Sequence, residues 1–411
     1  MAHTLPNVNV AIDNDRLGRI APSSDGVSGL ILSGVAVGGS FVLGDILEGN
    51  SLADFEALGI TQAYDTTNTT NAWKHISDFY SWSENKGLKL YVMVVAKTVL
   101  MSALVDKTNA NYAKKMLIAA NGNVKLLGVC RTPDGAYTPT YAAQLDTDIA
   151  LAMANAQALY DDEFNLFRPL QIFIEGYNWQ GSVATSTNMR DPLTGFNANR
   201  VSLVIGNDND YSTANAWAAK YASLGLFLGR EAAIPVNRNA GRVKDGKLPL
   251  INAGFSNGNK VTTYTDANLD TLDDFGYIFF RPFTGKAGYY INDDHTASPY
   301  NQDALYISHG RVLDKAARIA RKVYVDEILD EVQVEASTGK LAPSTCKHYQ
   351  GIIEKAINDE MASRGEIVAV SAYVDPDQDV LTTDTINIEV DIVKTGTSRK
   401  IKVVIGFAAS V

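Results

Sequence analysis

Three adjacent side chains, Asp293, Asp294 and His295, are the residues of this 411-residue chain that could most readily do chemistry. Two carboxylates beside an imidazole could hold a divalent metal or form part of a hydrolytic triad. A metal site would need further ligands, and the sequence has neither an HExxH motif nor an EF-hand loop. Because aspartate also favours turns and helix starts, we interpret the triplet as a polar turn.

Ser256 is a second candidate, since GFSNG (254–258) matches the G-x-S-x-G pattern of a nucleophile elbow. With His295 as the base and a nearby aspartate, it would make the chain an α/β hydrolase-like enzyme, which is the alternative function. An elbow requires a helix after the serine. The residues that follow, NKVTTYTD, favour a loop or a strand. The sequence therefore predicts a protein that is not an enzyme and needs no metal or cofactor.

Composition disfavours several other classes of protein. The net charge of −10 argues against nucleic acid as a partner, because phosphates require a basic surface. No apolar run reaches the roughly 20 residues of a membrane span, and the N-terminus does not resemble a signal peptide. The two cysteines, Cys130 and Cys346, are far apart, which fits a reducing compartment. We expect a protein that is made in cytoplasm and does not insert into membranes.

The region from residue 26 to 300 alternates apolar segments with helical patterns. The apolar segments lack a polar face, as expected for strands of a sheet covered on both sides. Such alternation predicts an α/β domain with a largely parallel sheet. The predicted strands are 29–37, 88–96, 123–130, 170–176 and 200–208, and the predicted helices are 71–87, 141–163 and 211–229.

The C-terminal region, residues 301–411, has a different pattern and predicts an α+β assembly domain. Segment 304–332 has an apolar stripe with arginines and lysines on its other faces, and a second helix, 345–365, ends at Gly365. Three strands follow, and the last two would form a hairpin around KTGTS (394–398). The alternating apolar residues of these two strands are Ile386, Ile388 and Val390, then Ile401, Val403 and Ile405.

Residues 1–25 form a third part, an N-terminal arm and linker. Val8, Val10 and Ile12 alternate with polar residues, which predicts a half-buried strand. A linker rich in turn-forming residues follows it. A strand isolated in this way must pair with a sheet elsewhere, in this molecule or in a neighbour.

Four segments, in order, resemble the contractile tail sheath proteins of phages and related injection systems. In the first, SLADFEALGI matches the pattern that closes the N-terminal sheath segment. In the third, a GYY–ND run precedes a long helix, as in sheath variants of phage-like elements. The four segments are 26–60, 79–95, 273–341 and the C-terminal strands.

This resemblance implies a fold, α/β plus α+β, in which an outward α/β domain is inserted before the assembly domain, with extended β arms at both chain ends. It implies a structural subunit that polymerises helically, as stacked hexameric rings, around an inner tail tube. Contraction would drive the tube through a target cell envelope. The implied partners are further copies of the chain, the tube protein, and baseplate and terminator proteins. The particle would be a virion tail or a phage-tail-like assembly, built in bacterial cytoplasm.

The resemblance also implies roles for particular residues. Val8, Val10 and Ile12 would add a strand to a neighbouring subunit, and the C-terminal strands would be exchanged or would receive such a strand. The helix at 345–365, with Lys347, Lys355 and Arg364, is a candidate for facing the tube. An ordinary solvated helix face explains the same three residues equally well.

Overall fold

The structure is a computed structural model that describes residues 24–403. The predicted arm residues Val8, Val10 and Ile12 lie outside the described residues, as does Ile405. The fold is a mixed α/β structure, as the sequence predicts. None of the helices in the described range is long and apolar enough to cross a bilayer.

The largest sheet has six strands, five of them parallel. These strands are β1 (Ser28–Gly34), β2 (Ile46–Gly49), β3 (Leu90–Ala96), β4 (Leu126–Val129), β7 (Gln171–Glu175) and β8 (Val201–Val204). Their order is β2-β3-β1-β4-β7-β8. The five parallel strands are those predicted from the sequence. Each has an apolar run, and its side chains are buried on both faces of the sheet. The antiparallel β2 was missed, since its four residues are only partly buried.

Helices cover both faces of this sheet. They are α1 (Leu52–Ala57), α2 (Gln62–Asn68), α3 (Ala72–Tyr80), α4 (Met101–Leu104), α5 (Ala113–Ala120), α6 (Thr147–Asn165), α7 (Asn209–Ala214) and α8 (Leu224–Ala233). A Cβ at Gly128 would meet leucines of α8, whereas one at Gly29 would meet Met116 of α5. Gly29 and Leu30 are successive strand residues, and Leu30 lies beside Gly128. Because successive residues point to opposite faces, α5 and α8 cover opposite sides of the sheet.

The predicted helix 211–229 is wrong as a single element, because α7 and α8 are separate. The chain leaves the helical conformation at Asn215, whose φ is −128° and whose side chain donates to the carbonyl of Tyr211 at 2.9 Å. Ser223 then precedes α8 and accepts the backbone N–H of Asp208 at 2.9 Å. Short polar side chains that bind backbone groups compete with helix formation, and here they divide the segment.

Two-stranded sheets surround the main sheet. Strand β9 (Gly206–Asp208) pairs with β10 (Ala253–Phe255), β11 (Phe280–Phe283) with β12 (Lys286–Ile291), and β5 (Tyr141–Ala142) with β6 (Leu145–Asp146). Helix α9 (Asp266–Asp274) precedes β11. Residues 292–295 follow β12 directly, and the first helix of the C-terminal region begins at Ile307.

The C-terminal region packs two helices against a two-stranded sheet. Its elements are α10 (Ile307–Tyr324), α11 (Pro343–Glu360), α12 (Val380–Thr383), β13 (Ile367–Tyr373) and β14 (Glu389–Lys394). Val312 and Ile319 of α10 and Ile353 of α11 share a core with the sheet. The predicted extension of α10 to residue 332 is wrong, because turns follow Tyr324 and Leu329 has a left-handed φ of 69°. Gly365 has the expected left-handed conformation, at φ 71°.

The predicted C-terminal hairpin does not form within the described residues. Strand β14 pairs with β13 instead, and Ile386 and Ile388 precede it as partly buried residues of a separate small cluster. Ile401 and Val403 belong to no strand and are 80% and 71% exposed. Within residues 24–403, the described part of the predicted second strand pairs with no other segment.

Gly351 gives a prediction about helix α11. It lies inside the helix, and no atom is within 4 Å of the position that a Cβ would occupy. Gly351→Ala should raise the free energy of unfolding by about 1 kcal/mol, because alanine restricts the unfolded chain and favours the helix. Urea denaturation measures the change. Gly225→Ala in α8 is the control and should destabilise the protein, since its Cβ would collide with the carbonyl oxygen of His75.

Candidate functional site

Ser256 and His295 do not form a nucleophile–base pair. The Ser256 side chain is fully buried, and its hydroxyl donates to the carbonyl of Gly176 at 2.6 Å and accepts the N–H of Trp179 at 3.3 Å. A turn and a short 3-10 helix at 261–263 follow the serine. The GFSNG sequence therefore lacks the strand–turn–helix geometry that exposes a nucleophilic serine.

His295 is held between a cation and a carboxylate. Its Nδ1 lies 2.5 Å from the guanidinium of Arg190, and its Nε2 lies 2.8 Å from Asp273. A guanidinium can only donate, so Nδ1 accepts and Nε2 carries the proton that is donated to Asp273. Burial acts to raise the pKa of Asp273, but the hydrogen bond from His295 holds this pKa below its ordinary value. The two ring nitrogens thus link Arg190, which lies in a loop, to Asp273 of α9.

Asp293 and Asp294 bind an arginine from the C-terminal segment. Arg399 donates from Nε to Asp293 at 2.8 Å and from Nη2 to Asp294 at 3.1 Å. Its guanidinium carbon lies 3.3 Å from the centre of the Tyr306 ring. Asp294 also caps helix α10, since its other carboxylate oxygen accepts the N–H of Ser308 at 3.0 Å. We call Arg399, Asp293, Asp294 and Tyr306 the Arg399 clasp.

Our interpretation of Asp293-Asp294-His295 as a polar turn is wrong, because the three residues form no turn and His295 pairs with Tyr306 in an isolated β-bridge. Asp294 and His295 are 0% and 1% exposed. Burial and the adjacent Asp293 raise the pKa of Asp294 well above its ordinary value. For Asp293, burial also acts to raise the pKa, but the neighbouring His295 and Arg399 hold this pKa below its ordinary value. Asp293 is accordingly the carboxylate that carries the charge opposite Arg399.

Strand β14 has an open edge. Within residues 24–403, no backbone hydrogen bond joins its outer edge to another segment. The neighbouring strand is better covered, because Glu354 of α11 accepts the N–H of Ala372 at 2.8 Å. Along β14, half-buried Val390 and Ile392 alternate with exposed Glu389 and Asp391. An open edge of this kind can accept a further strand.

Two protein-family models together match almost the whole chain. Residues 5–295 match the family model described as DUF2586, N-terminal domain, and residues 303–411 match DUF2586, C-terminal domain. The chain belongs to the DUF2586 family. A comparison with curated proteins gave no match.

Solved structures share the fold of this DUF2586 protein over its full length. The helical sheath of the anti-feeding prophage (AFP) in its contracted state has a TM-score of 0.61 at 14% identity, with 100% of both chains covered. A chain of the six-fold symmetrised AFP baseplate has the same score and identity, covering 99% of this chain and 100% of that one. The contracted sheath complex of the extracellular contractile injection system PVC gives 0.59 at 12% identity, covering 100% and 99%. The predicted resemblance to sheath proteins is confirmed at the level of the fold.

The predicted tube-facing residues of the DUF2586 protein are exposed. Lys347 and Lys355 lie on the outer face of α11, and Arg364 lies in the short 3-10 turn after it. The Lys355 ammonium is 3.4 Å from Asp359, and both side chains are largely in solvent. Contact with a tube stays a prediction for all three residues.

Charged residues on the buried side of α10 join the C-terminal region to the main sheet. Arginines and lysines were predicted on the outer faces of this helix, but Arg311 and Lys315 are buried. Arg311 donates to Glu231 of α8 at 2.8 Å, with side chains 3% and 0% exposed. Asp314 accepts from Arg200 at 3.1 Å. Complete burial raises the pKa of Glu231, which the charge of Arg311 partly offsets.

A buried group of potential metal ligands, His75, Cys130 and Glu175, lies near the carboxyl ends of β4 and β7. Its hydrogen bonds disfavour a cation. Both oxygens of Glu175 accept backbone N–H groups, at 2.8 and 2.9 Å, and Nδ1 of His75 accepts the N–H of Gly225 at 3.2 Å. Burial raises the pKa of Glu175 to about 8 and lowers that of His75 to about 3. We interpret the group as a neutral polar part of the core.

His75→Asn should remove a pH dependence of stability. The folded protein keeps His75 neutral, with a pKa of about 3, whereas the unfolded chain takes up a proton below about pH 6.5. Acid therefore costs the wild type stability from pH 6.5 downwards, by about 1.4 kcal/mol per pH unit at this residue. Asparagine can still accept from Gly225 but does not titrate. In urea denaturation, the advantage of the wild type over the variant should shrink by about 2 kcal/mol between pH 7 and pH 5. A difference that stays constant with pH would show that the buried imidazole protonates normally.

Proposed function

We propose that this DUF2586 protein is a structural subunit of a contractile sheath, in a tail or phage-tail-like particle. The observation that carries the proposal is the fold shared over the full length with the sheath of two different injection systems, AFP and PVC. Ser256 and His295, the candidate pair for the alternative enzyme, have separate structural partners, so no observation favours that alternative.

In the proposed assembly, subunits form stacked hexameric rings that wind helically around an inner tube. The α/β region would lie outward and the C-terminal region would hold the lattice together. Open β14 edges and terminal arms supply what strand exchange between subunits requires. The N-terminal residues Val8, Val10 and Ile12 and the C-terminal residues Ile401, Val403 and Ile405 would be the exchanged strands.

Contraction would drive the tube through a target envelope without nucleotide hydrolysis. Better packing between subunits in the contracted lattice would supply the free energy. The buried ion pair between Arg311 and Glu231 supports movement of each subunit as a rigid body, because separating the charges in a dry interface is costly. The arms would then act as hinges. Helix α11, with Lys347, Lys355 and Arg364, would face the tube, and baseplate and terminator proteins would meet the ends of the sheath.

Deletion of residues 1–14 tests the proposal. The full-length chain should form particles that sediment in the ultracentrifuge above a threshold concentration. The truncated chain should stay folded, with an unchanged thermal midpoint, and should remain small at the same concentrations. Equal polymerisation of both chains would contradict the role of the arm, and absence of polymer from both would contradict the sheath function.

A further inference from the structure

We propose that the Arg399 clasp prevents the last strand of the chain from closing a hairpin on its own β14 and so leaves this strand for a second copy of the chain. The proposal rests on the sheath function and adds to it the device that selects pairing between subunits over pairing within one. It explains why a hairpin that the sequence strongly favours is missing from residues 389–403.

The hairpin within one chain would have well-matched side chains. With a turn at 395–398, Lys394 would lie opposite Arg399, and each later residue would follow in antiparallel register. The resulting pairs are Ile392 with Ile401, Asp391 with Lys402, and Val390 with Val403. Two apolar pairs would thus face the core of the C-terminal region, and an ion pair would face outward.

The observed contacts of residues 394–399 compete with that hairpin. The side chain of Thr395 accepts from Asn237 at 2.9 Å, and Nζ of Lys394 lies 3.0 Å from the His309 ring. Arg399 is 106 residues away from Asp293 in sequence and reaches it at 2.8 Å. Turning the segment back on β14 would break the contacts that Arg399 makes with Asp293 and Asp294. It would also bring Arg399 opposite Lys394, a like-charge pair that destabilises a ladder.

The clasp is favourable because, within the described residues, few side chains other than Arg399 donate to Asp293 and Asp294. Asp294 is completely buried, and Asn239 is the other side chain that donates to it, at 2.5 Å. Loss of Arg399 would leave the charged carboxylate of Asp293 buried without the arginine that pairs with it, which is a costly arrangement. Stacking on Tyr306 adds a cation–π contact to the two hydrogen bonds.

A second copy of the chain is the occupant that fits the open edge. Glu389 and Asp391 make the outward side of β14 acidic. Every charged residue after Asp391 is basic, and Lys400 and Lys402 alternate with Ile401 and Val403. This is the alternation that the edge requires: apolar inward and basic outward. Because the clasp holds the chain's own segment away, the complementary segment must come from another subunit.

A disulfide at the predicted pair tests the proposal in the full-length chain. Asp391→Cys and Lys402→Cys are introduced together, the protein is oxidised, and the products are separated on non-reducing gels. With Arg399 present, we expect a ladder of covalently linked subunits. Adding Arg399→Gln should shift the product toward an internally bridged monomer, by about tenfold or more, the factor expected when charge-assisted hydrogen bonds are lost. Asp293→Asn should shift it in the same direction, and Arg321→Gln, an exposed arginine of α10, should leave the ladder unchanged.

The outcomes separate the clasp from the sheath function. A ladder that is unaffected by Arg399→Gln would overturn the clasp and leave the sheath function standing. Internally bridged monomer in the protein that retains Arg399, together with no sedimenting polymer, would contradict both.

Trypsin gives an independent measurement without cysteines, on dilute protein. Cleavage after Lys402 should be rapid in the wild type and at least severalfold slower in Arg399→Gln. Equal cleavage rates would count against the clasp.

Discussion

Arg311→Met is expected to lower the free energy of unfolding by about 3–5 kcal/mol, the usual cost of removing one partner of a buried ion pair. The substitution would leave Glu231 completely buried without its cation. It would also remove the hydrogen bonds that Arg311 donates to the backbone carbonyls of Glu231 and Ile234, at 2.8 and 3.2 Å. Urea denaturation of the purified protein measures the change.

Lys322→Met in the same helix is the matched control. The Lys322 side chain is 76% exposed and lies 3.2 Å from Glu360, so its loss should cost less than about 1 kcal/mol. Adding Glu231→Leu to Arg311→Met should recover part of the lost stability, because it removes the uncompensated charge. Equal effects of the two methionine substitutions would show that α10 is not anchored by its charged residues.

Assembly is expected to respond most strongly to the exposed end of the C-terminal segment. Replacing Ile401 and Val403 together by aspartate should raise the concentration needed for polymerisation by about 1,000-fold. Burying each side chain between subunits contributes roughly 1.5–3 kcal/mol, and about 4 kcal/mol in total corresponds to that factor. The folded monomer should keep its stability to within about 0.5 kcal/mol, because both side chains already face solvent.

Sedimentation at a series of concentrations measures this threshold. Leu193→Asp is the control, since Leu193 is 92% exposed and lies outside the C-terminal region. It should leave the threshold unchanged. A doubly substituted protein that polymerises at the wild-type threshold would show that Ile401 and Val403 take no part in contacts between subunits.

The sequence predicts the main sheet well because its strands are buried on both faces. Leu90–Ala96 is almost entirely apolar, and Gln171–Glu175 has an apolar centre, so local composition identifies both strands. The same reasoning fails for Ile46–Gly49, whose burial is incomplete. It also fails at Asn215, where a side chain rather than a change of hydrophobicity ends a helix.

The Arg399 clasp and the buried side of α10 were missed for a different reason. Each depends on pairs that lie far apart in sequence, such as Arg311 with Glu231, and local periodicity carries no information about such partners. One signal in the sequence was the segment after Asp391, in which every charged residue is basic. Another was the pair of adjacent aspartates, Asp293 and Asp294. Together they indicate complementary charge but not which residues meet.

The terminal arms remain predictions. Val8, Val10, Ile12 and Ile405 lie outside the described residues, and the tube contacts of Lys347, Lys355 and Arg364 depend on a partner. The predicted division of the chain at residues 25 and 300 likewise stays a prediction.

Electron microscopy of the purified full-length protein over a range of concentrations tests the sheath function most directly. We predict hollow, striated cylinders with helical symmetry, built from six-fold rings, above a threshold concentration. Their rise and twist would identify the state that forms spontaneously. Discrete monomers or dimers at every concentration would contradict the proposal that this chain is a sheath subunit.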